Sequence, residues 1–332
     1  MRDPQQQRRR LLAALGAGAL AGPFAAPSIT RAQARYPSRP VTLLVSQPAG
    51  GDADALCRNL QPKMAEVLGQ SVVIDNRGGA GGNIGTALAA KAAPDGYTVG
   101  FVNQGTMAFN PHLYPNPGYK IDDFTPVCWM TSINLLIACN PAVPANNLAE
   151  FLALARKEPG KYTYGTAGNG SANHLCGEML KSMAGVNLTH VPFRGGAQAI
   201  LACMGGDISS VVAFPLAALP QVRAGKLKAL AVTGAKRAAA LPNVPTVAES
   251  GVKDYEFTSW MGLVLPKGSP QEAADRVYQA TAAALKVPDT VEKLQAAMTE
   301  PVAAGPKEFG ALIARENTRW AKLIKQFNVR ID

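Results

Sequence analysis

Short apolar runs alternate along the chain with longer stretches in which apolar residues recur every three or four positions. Val41 to Val45 has the pattern of a strand, Ser46-Gln47-Pro48-Ala49-Gly50-Gly51 that of a loop, and Asp52 to Leu68 that of an amphipathic helix. The unit then repeats: Val72 to Ile74 reads as a strand, residues 76–85 (NRGGAGGNIG) as a glycine-rich loop, and Thr86 to Ala92 as a helix. Tyr97 to Val102 is a third strand, closed by Asn103-Gln104-Gly105-Thr106. This β-loop-α rhythm predicts an α/β fold, a mostly parallel sheet with helices on both faces. Ligands on such sheets sit beyond the strand C-termini, where all three loops gather.

The pattern starts again after an extended apolar stretch, Val127 to Cys139. Helix Leu148 to Lys157 leads to strand Tyr162 to Tyr164, a second glycine-rich loop at 165–171 (GTAGNGS), and a helix through about Ala184. Strand Leu188 to Pro192, loop Phe193-Arg194-Gly195-Gly196 and helix Ala197 to Met204 come next. Ser209 to Ala213 and Ala229 to Thr233 are strands, Phe257 to Leu265 is extended again, and helices Gln271 to Leu285 and Pro306 to Phe327 finish the chain. Two similar halves separated by two extended segments predict a chain that crosses over and returns. Residues 35–137 with 261–332 would form one domain and 138–260 the other, with a cleft that closes on a ligand by hinge motion. One continuous α/β sheet is the alternative.

The loop at 76–85 holds five glycines in the eight residues from Gly78 to Gly85, so its backbone can come very close to a bound group. A helix follows, and its free N–H groups and positive dipole end suit an anion. Composition supports a folded chain: 47% apolar residues are ample for a core, and 17% charged residues argue against disorder. Residues 1–34 stand apart. Arg8-Arg9-Arg10 precede an apolar run from Leu11 to Leu20, and Ala32-Gln33-Ala34 is a small-x-small signal, so this segment reads as an export signal cleaved near Ala34. Arg8-Arg9 followed by x-Leu-Leu also fits twin-arginine export. A membrane anchor is the alternative, although Gly, Pro and Ser interrupt a stretch too short to span comfortably. Five arginines and one aspartate in that segment supply +4 of the net +10, which leaves +6. The remaining basic residues are scattered without aromatic interleaving, which argues against nucleic acid, while a modest positive field favours anionic ligands.

Catalytic signatures fail one after another. Gly79 and Gly81 fit the first two positions of GxGxxG, but Ile84 stands at the third, and Gly168-x-Gly170 meets Asn173 instead. Neither a Walker loop nor HExxH occurs, and Ser171 lacks the glycines of a nucleophile elbow. His174 follows Ser171 by three residues, a spacing that fits loop capping better than a Ser/His pair. With three histidines (His112, His174, His190) and no CxxC, there is no metal-ligand spacing, and no cofactor is implied. Five cysteines leave at least one thiol free; Cys128 and Cys139 could pair, though isolated buried thiols are favoured.

From Tyr36 onward the chain resembles the Bug-type receptors, the periplasmic solute-binding proteins of the tripartite tricarboxylate transporter family. The resemblance is carried by YPSRPVTLLV (36–45), Pro48-Ala49-Gly50-Gly51-Asp52-Ala53-Asp54, NRGGAGGNIG, KAAPDGYT (91–98) and the Asn110-Pro111-x-Leu-Tyr114 run. YGTAGNGSANHL (164–175), HVPFRGG (190–196), LPQVRAGKLKALAVTGAKR (219–237), LPNVPTVAESG (241–251) and the strand with Trp260 complete it. It implies a two-lobed binding protein of type II, a Venus flytrap hinged on two crossover strands, that holds the carboxylate of a small organic acid and works as a monomer with the membrane permease subunits of a tripartite transporter. A sensory receptor that uses the same closure is the alternative, and a cleft enzyme a more distant one. By motif, the ligand loops are Pro48 to Asp54 (with Gly51 among them) and Gly81-Gly82-Asn83, with Asn103, Gln104 and Thr106 nearby. The facing lobe would contribute Ala167, Gly168, Ser171, His174 and Arg194, the last able to pair a second carboxylate. Four departures bear on the ligand: Ser46 replaces a common proline, Gln47 a common aromatic residue, Ala213 a common aspartate, and Met107 a common histidine. Losing the aspartate disfavours an amino-acid ligand, and Met107 as a pocket wall would favour an aromatic or longer apolar acid. Trp260 is a candidate wall or a packed hinge residue.

Overall fold

The computed structural model describes residues 36–331; the segment read as an export signal lies outside them. Strand β1 (Val41–Val45) starts the first unit, and its apolar residues are buried on both sides because helices cover both faces of its sheet. Gly51 opens α1 (Asp52–Leu68) and Gly69, in the left-handed region at φ +72°, closes it, as expected of a C-terminal glycine. β2 (Val72–Asn76), α2 (Asn83–Ala90) and β3 (Thr98–Asn103) follow. A turn of π-helix, Gly105–Phe109, then runs into the one-turn helix α3 (Asn110–Leu113). β4 (Phe124–Asn134) leads directly to β5 (Leu136–Cys139). The middle of the chain forms α4 (Leu148–Lys157), β6 (Thr163–Thr166), α5 (Ala172–Ala184), β7 (Thr189–Pro192) and α6 (Gly196–Gly205). β8 (Ser210–Ala213), α7 (Pro215–Arg223) and β9 (Lys228–Val232) complete it. The chain ends with β10 (Thr258–Pro266), α8 (Gln271–Leu285), α9 (Pro288–Ala296), β11 (Thr299–Ala304) and α10 (Pro306–Gln326).

Two sheets result, ordered β11-β4-β10-β3-β1-β2 and β7-β6-β8-β5-β9. Both are mixed rather than mostly parallel. The β-loop-α units lay down parallel pairs, β1 with β2 and β3, and β6 with β7 and β8. The strands that come from the other lobe lie antiparallel beside them, β10 against β3 and β5 against β8. Each lobe therefore completes its sheet with a strand reached through the crossover, a reciprocal arrangement that explains the two extended apolar stretches.

Thr233 stitches the two crossing points together. Its hydroxyl accepts the N–H of Leu135 (2.8 Å) and donates to the carbonyl of Phe257 (2.8 Å). Its backbone N–H donates to the Leu135 carbonyl and its carbonyl accepts the Phe257 N–H. The side chain is fully buried, so this polar knot is satisfied internally, as buried polar groups must be. All five cysteines are buried and unpaired, with Cys128 in β4 of one sheet and Cys139 in β5 of the other.

Candidate ligand-binding cleft

The C-terminal ends of β1, β2 and β3 bring three loops together, and glycine sets how closely they pack. Gly82 sits at φ +95°, and a Cβ there would lie 2.9 Å from Thr106 Cγ2 and 3.2 Å from both Gln47 Nε2 and the Ser46 carbonyl. Gly81, at φ +65°, would place a Cβ 2.9 Å from the Tyr114 hydroxyl. Only glycine combines that backbone with that proximity. Asn110 holds the loop from below, its Nδ2 donating to the Gly81 carbonyl (3.1 Å) and to Asn83 Oδ1 (2.7 Å).

A cavity of about 440 Å³ opens above these loops and faces the other lobe. Gln47, Pro48, Gly81, Gly82 and Asn103 line it from the first lobe, and Ala167 and Ser171 from the second, all of them expected from the sequence. Among the described residues that line it, none is charged. A helix end stands in for a charge instead: α2 begins with no side-chain cap at Gly82, which lines the cavity, whereas the start of α1 lies outside the lining and carries Asp52 and Asp54 in its first turn. The start of α5 differs, because its own Ser171 side chain accepts the His174 N–H. An anion is therefore best served by the first lobe at the start of α2, which has no side-chain cap.

The other expected residues stand behind or beside this wall. Asp54 is buried and accepts hydrogen bonds from Arg58 Nε (3.0 Å) and the Gly50 N–H (2.9 Å), which hold its carboxyl below the usual carboxylate range. It shapes the loop after β1, in which Gly51 serves as helix cap. Asn83 is occupied by Asn110, and Gln104 Nε2 donates to the buried Glu316 (3.2 Å). Thr106 and Asn103 bond each other at the end of β3. Gly168 packs under the carbonyl of Phe193, and Ala213 is buried in β8. Arg194 is exposed, away from the cavity, with its N–H donated to Gln198. Trp260 and Met107 belong to one buried cluster on the far face of β10, where Trp260 meets Phe309 edge-on at 5.6 Å, so neither walls the cavity. Its neighbours Ser259 and Met261 do, together with Asn110, Tyr114 and Phe214. Strand alternation around Trp260 was the available signal for the first two.

His174 lies behind the second glycine-rich loop. Its ring stacks on His190 with centroids 4.0 Å apart, and its Nδ1 accepts the Gly170 N–H (3.1 Å). His190 Nε2 lies 2.6 Å from Thr166 Oγ1. Burial pushes both histidines below their ordinary 6.5, with His174 adding to the effect on His190, which falls to about 4; Glu178 opposes the shift and Lys181 reinforces it. The unfolded chain therefore binds more protons than the folded one between pH 6.5 and about 4, and stability falls as pH drops through that window. Melting curves from pH 7 to 4 should show this decline, and a His190→Gln variant should show a shallower one. Equal slopes would mean that the pair does not titrate as placed.

The architecture and the cleft have clear counterparts. A family model described as "Tripartite tricarboxylate transporter family receptor" matches residues 56–329. The chain belongs to that family. A UPF0065 protein of Agrobacterium vitis is 36% identical over 304 residues, covering 90% of this chain and 88% of its own. The solved structure of periplasmic binding protein BugD is 36% identical with a TM-score of 0.79, covering 89% of this chain and 99% of its own. The R. palustris protein Rpa4515, solved with adipate, is 35% identical with a TM-score of 0.81, again covering 89% and 99%. The fold is thus that of a periplasmic solute-binding receptor.

Proposed function

We propose that this family member is an exported, non-catalytic receptor that captures a small organic carboxylate between its lobes and presents it to the membrane subunits of a tripartite transporter. One observation carries the reading: an interlobe cavity with an uncharged wall, into which the glycine-capped start of α2 is brought by tightly packed loops. The carboxylate rests on the first lobe near Gln47, Gly81, Gly82 and Asn103, with Asn110 and Tyr114 supporting the loop. Ala167 and Ser171 close over it from the second. Residues 35–137 with 261–332 and 138–260 move as the two domains about the strands tied by Thr233. The ligand favours the closed form, and the permease reads that form. Adipate in the relative Rpa4515 supports the ligand class. Residues 1–34 direct the chain to the periplasm as the export signal.

A thermal-shift screen against malate, adipate, hexanoate and benzoate tests the reading. A ligand at one hundred times its Kd adds about 2.7 kcal/mol of stability, enough to raise the melting temperature by several degrees. If no carboxylate shifts it, the receptor reading fails.

A further inference from the structure

A second, smaller cavity of about 250 Å³ adjoins the first. Phe214 and Met261 line both, so two side chains form a shared wall between them. Beyond that wall the lining is mainly aliphatic: Leu56 of α1, Ile133 of β4, Leu216 of α7 and Leu294 of α9. Leu216 remains 51% exposed although it is a large apolar residue at the start of its helix. Phe214, just before that helix, packs against the cores of both lobes. Two charged residues also line the pocket, the exposed Lys293 and the half-buried Asp52. The glycine-walled cavity, in contrast, has no cation among its lining residues. A carboxylate is served at the start of α2, but a second carboxylate on the same ligand finds no charged partner there.

Resting on the carboxylate reading above, we propose that the side pocket receives the hydrocarbon or aryl body of the ligand, which passes between Phe214 and Met261. The chain is then a receptor for amphipathic monocarboxylates rather than for short di- or tricarboxylates. Burial of the body supplies affinity in proportion to apolar area removed from water. A distal carboxylate in its place would lose hydration in the aliphatic part of the pocket, and the exposed Lys293 that could pair with it is opposed by Asp52 in the same lining. The preference for a longer apolar acid thus comes from the interlobe side pocket, and Met107 has no part in it.

Titration calorimetry of the purified receptor with acetate, butanoate, hexanoate, octanoate, adipate and malate decides the matter. From butanoate to octanoate, Kd should fall about fourfold per added methylene. Hexanoate should bind at least about tenfold more tightly than adipate, which has the same chain length and one more charge. In Leu216→Asp, a change at an exposed position, the chain-length dependence should flatten. If acetate or malate binds but Kd is independent of chain length, or adipate equals hexanoate, the side-pocket inference is overturned and the carboxylate receptor stands. If none of the six binds at millimolar concentration, the carboxylate reading falls and takes this inference with it.

Discussion

Gly82→Val should abolish carboxylate binding in a chain that still folds. A side chain at this position cannot be accommodated by small shifts, because the loops after β1 and β3 both converge on it: Thr106 Cγ2 at 2.9 Å, Gln47 Nε2 at 3.2 Å and the Ser46 carbonyl at 3.2 Å from the Cβ position. The backbone itself lies at φ +95°, a region that a β-branched residue does not tolerate. Strain of this kind costs about 1–3 kcal/mol, a fraction of the stability of a domain with two well-filled lobes. Affinity should suffer far more. Valine would displace Gln47 and turn the first N–H groups of α2 away from the cavity, and a loss of about 4 kcal/mol in binding corresponds to about a thousandfold in Kd. Calorimetry with whichever acid shifts the melting curve, alongside far-UV circular dichroism, checks both halves. Binding within threefold of wild type, with the fold intact, would place the ligand elsewhere.

The parts of the fold legible in the sequence were those fixed by local chemistry. The limits of α1 can be read because an amphipathic period runs between Gly51 and Gly69, the second of which must adopt a left-handed conformation. The glycine loops can be read because a cluster of residues without side chains has few structural uses other than close approach. By contrast, β11 carries the unremarkable sequence TEPVAA and is a strand because it pairs antiparallel with β4. Asn103 to Thr106 looks like a loop, but Asn103 Oδ1 accepts the Thr106 N–H (3.0 Å) and the chain continues into a π-helical turn and α3. α2 begins at Asn83, earlier than its apolar period, because the glycine loop winds directly into it.

Site residues divide along the same line. Gln47, Gly81, Gly82 and Ser171 belong to loops whose position follows from topology, and the cavity includes them. His174 and Arg194 occupy equally suggestive loops, but the direction of a side chain is a tertiary matter. His174 turns inward onto His190, and Arg194 outward to solvent. Phe214 and Met261 lie far apart in sequence and meet only where the second lobe approaches the first, so no local pattern marks them as a pair.

Trp320→Ala should be the most damaging single truncation for stability, through the last helix. α10 begins on the first lobe, where Phe309, Leu312 and Ile313 pack with Val102, Met107 and Trp260. Its second half enters the core of the other lobe, where Trp320 and Ile324 join Phe151, Leu175 and Tyr255. Trp320 is fully buried, with rings edge-on to Phe109 at 4.7 Å and to Phe257 at 5.5 Å. Its Nε1 donates to Glu316 (3.2 Å), a buried carboxylate that also accepts from Gln104 and lies within 3.8 Å of Arg319. Truncation leaves a large cavity in that core and removes one of the donors that compensate a buried charge. Loss of a buried tryptophan costs about 3–5 kcal/mol through transfer and cavity terms alone. Urea denaturation should therefore show a midpoint lowered by about 1–2 M if the slope lies near 2–3 kcal/mol/M. A conservative Trp320→Phe change should recover most of the packing but not the hydrogen bond, and so fall between the two. If Trp320→Ala costs less than about 1 kcal/mol, the second half of α10 does not hold the two lobes together as the contacts imply. Phe109 and Phe257 lie at the end of the π-helical turn and just before β10, so the same side chain packs the segment that follows β3 against the return crossover.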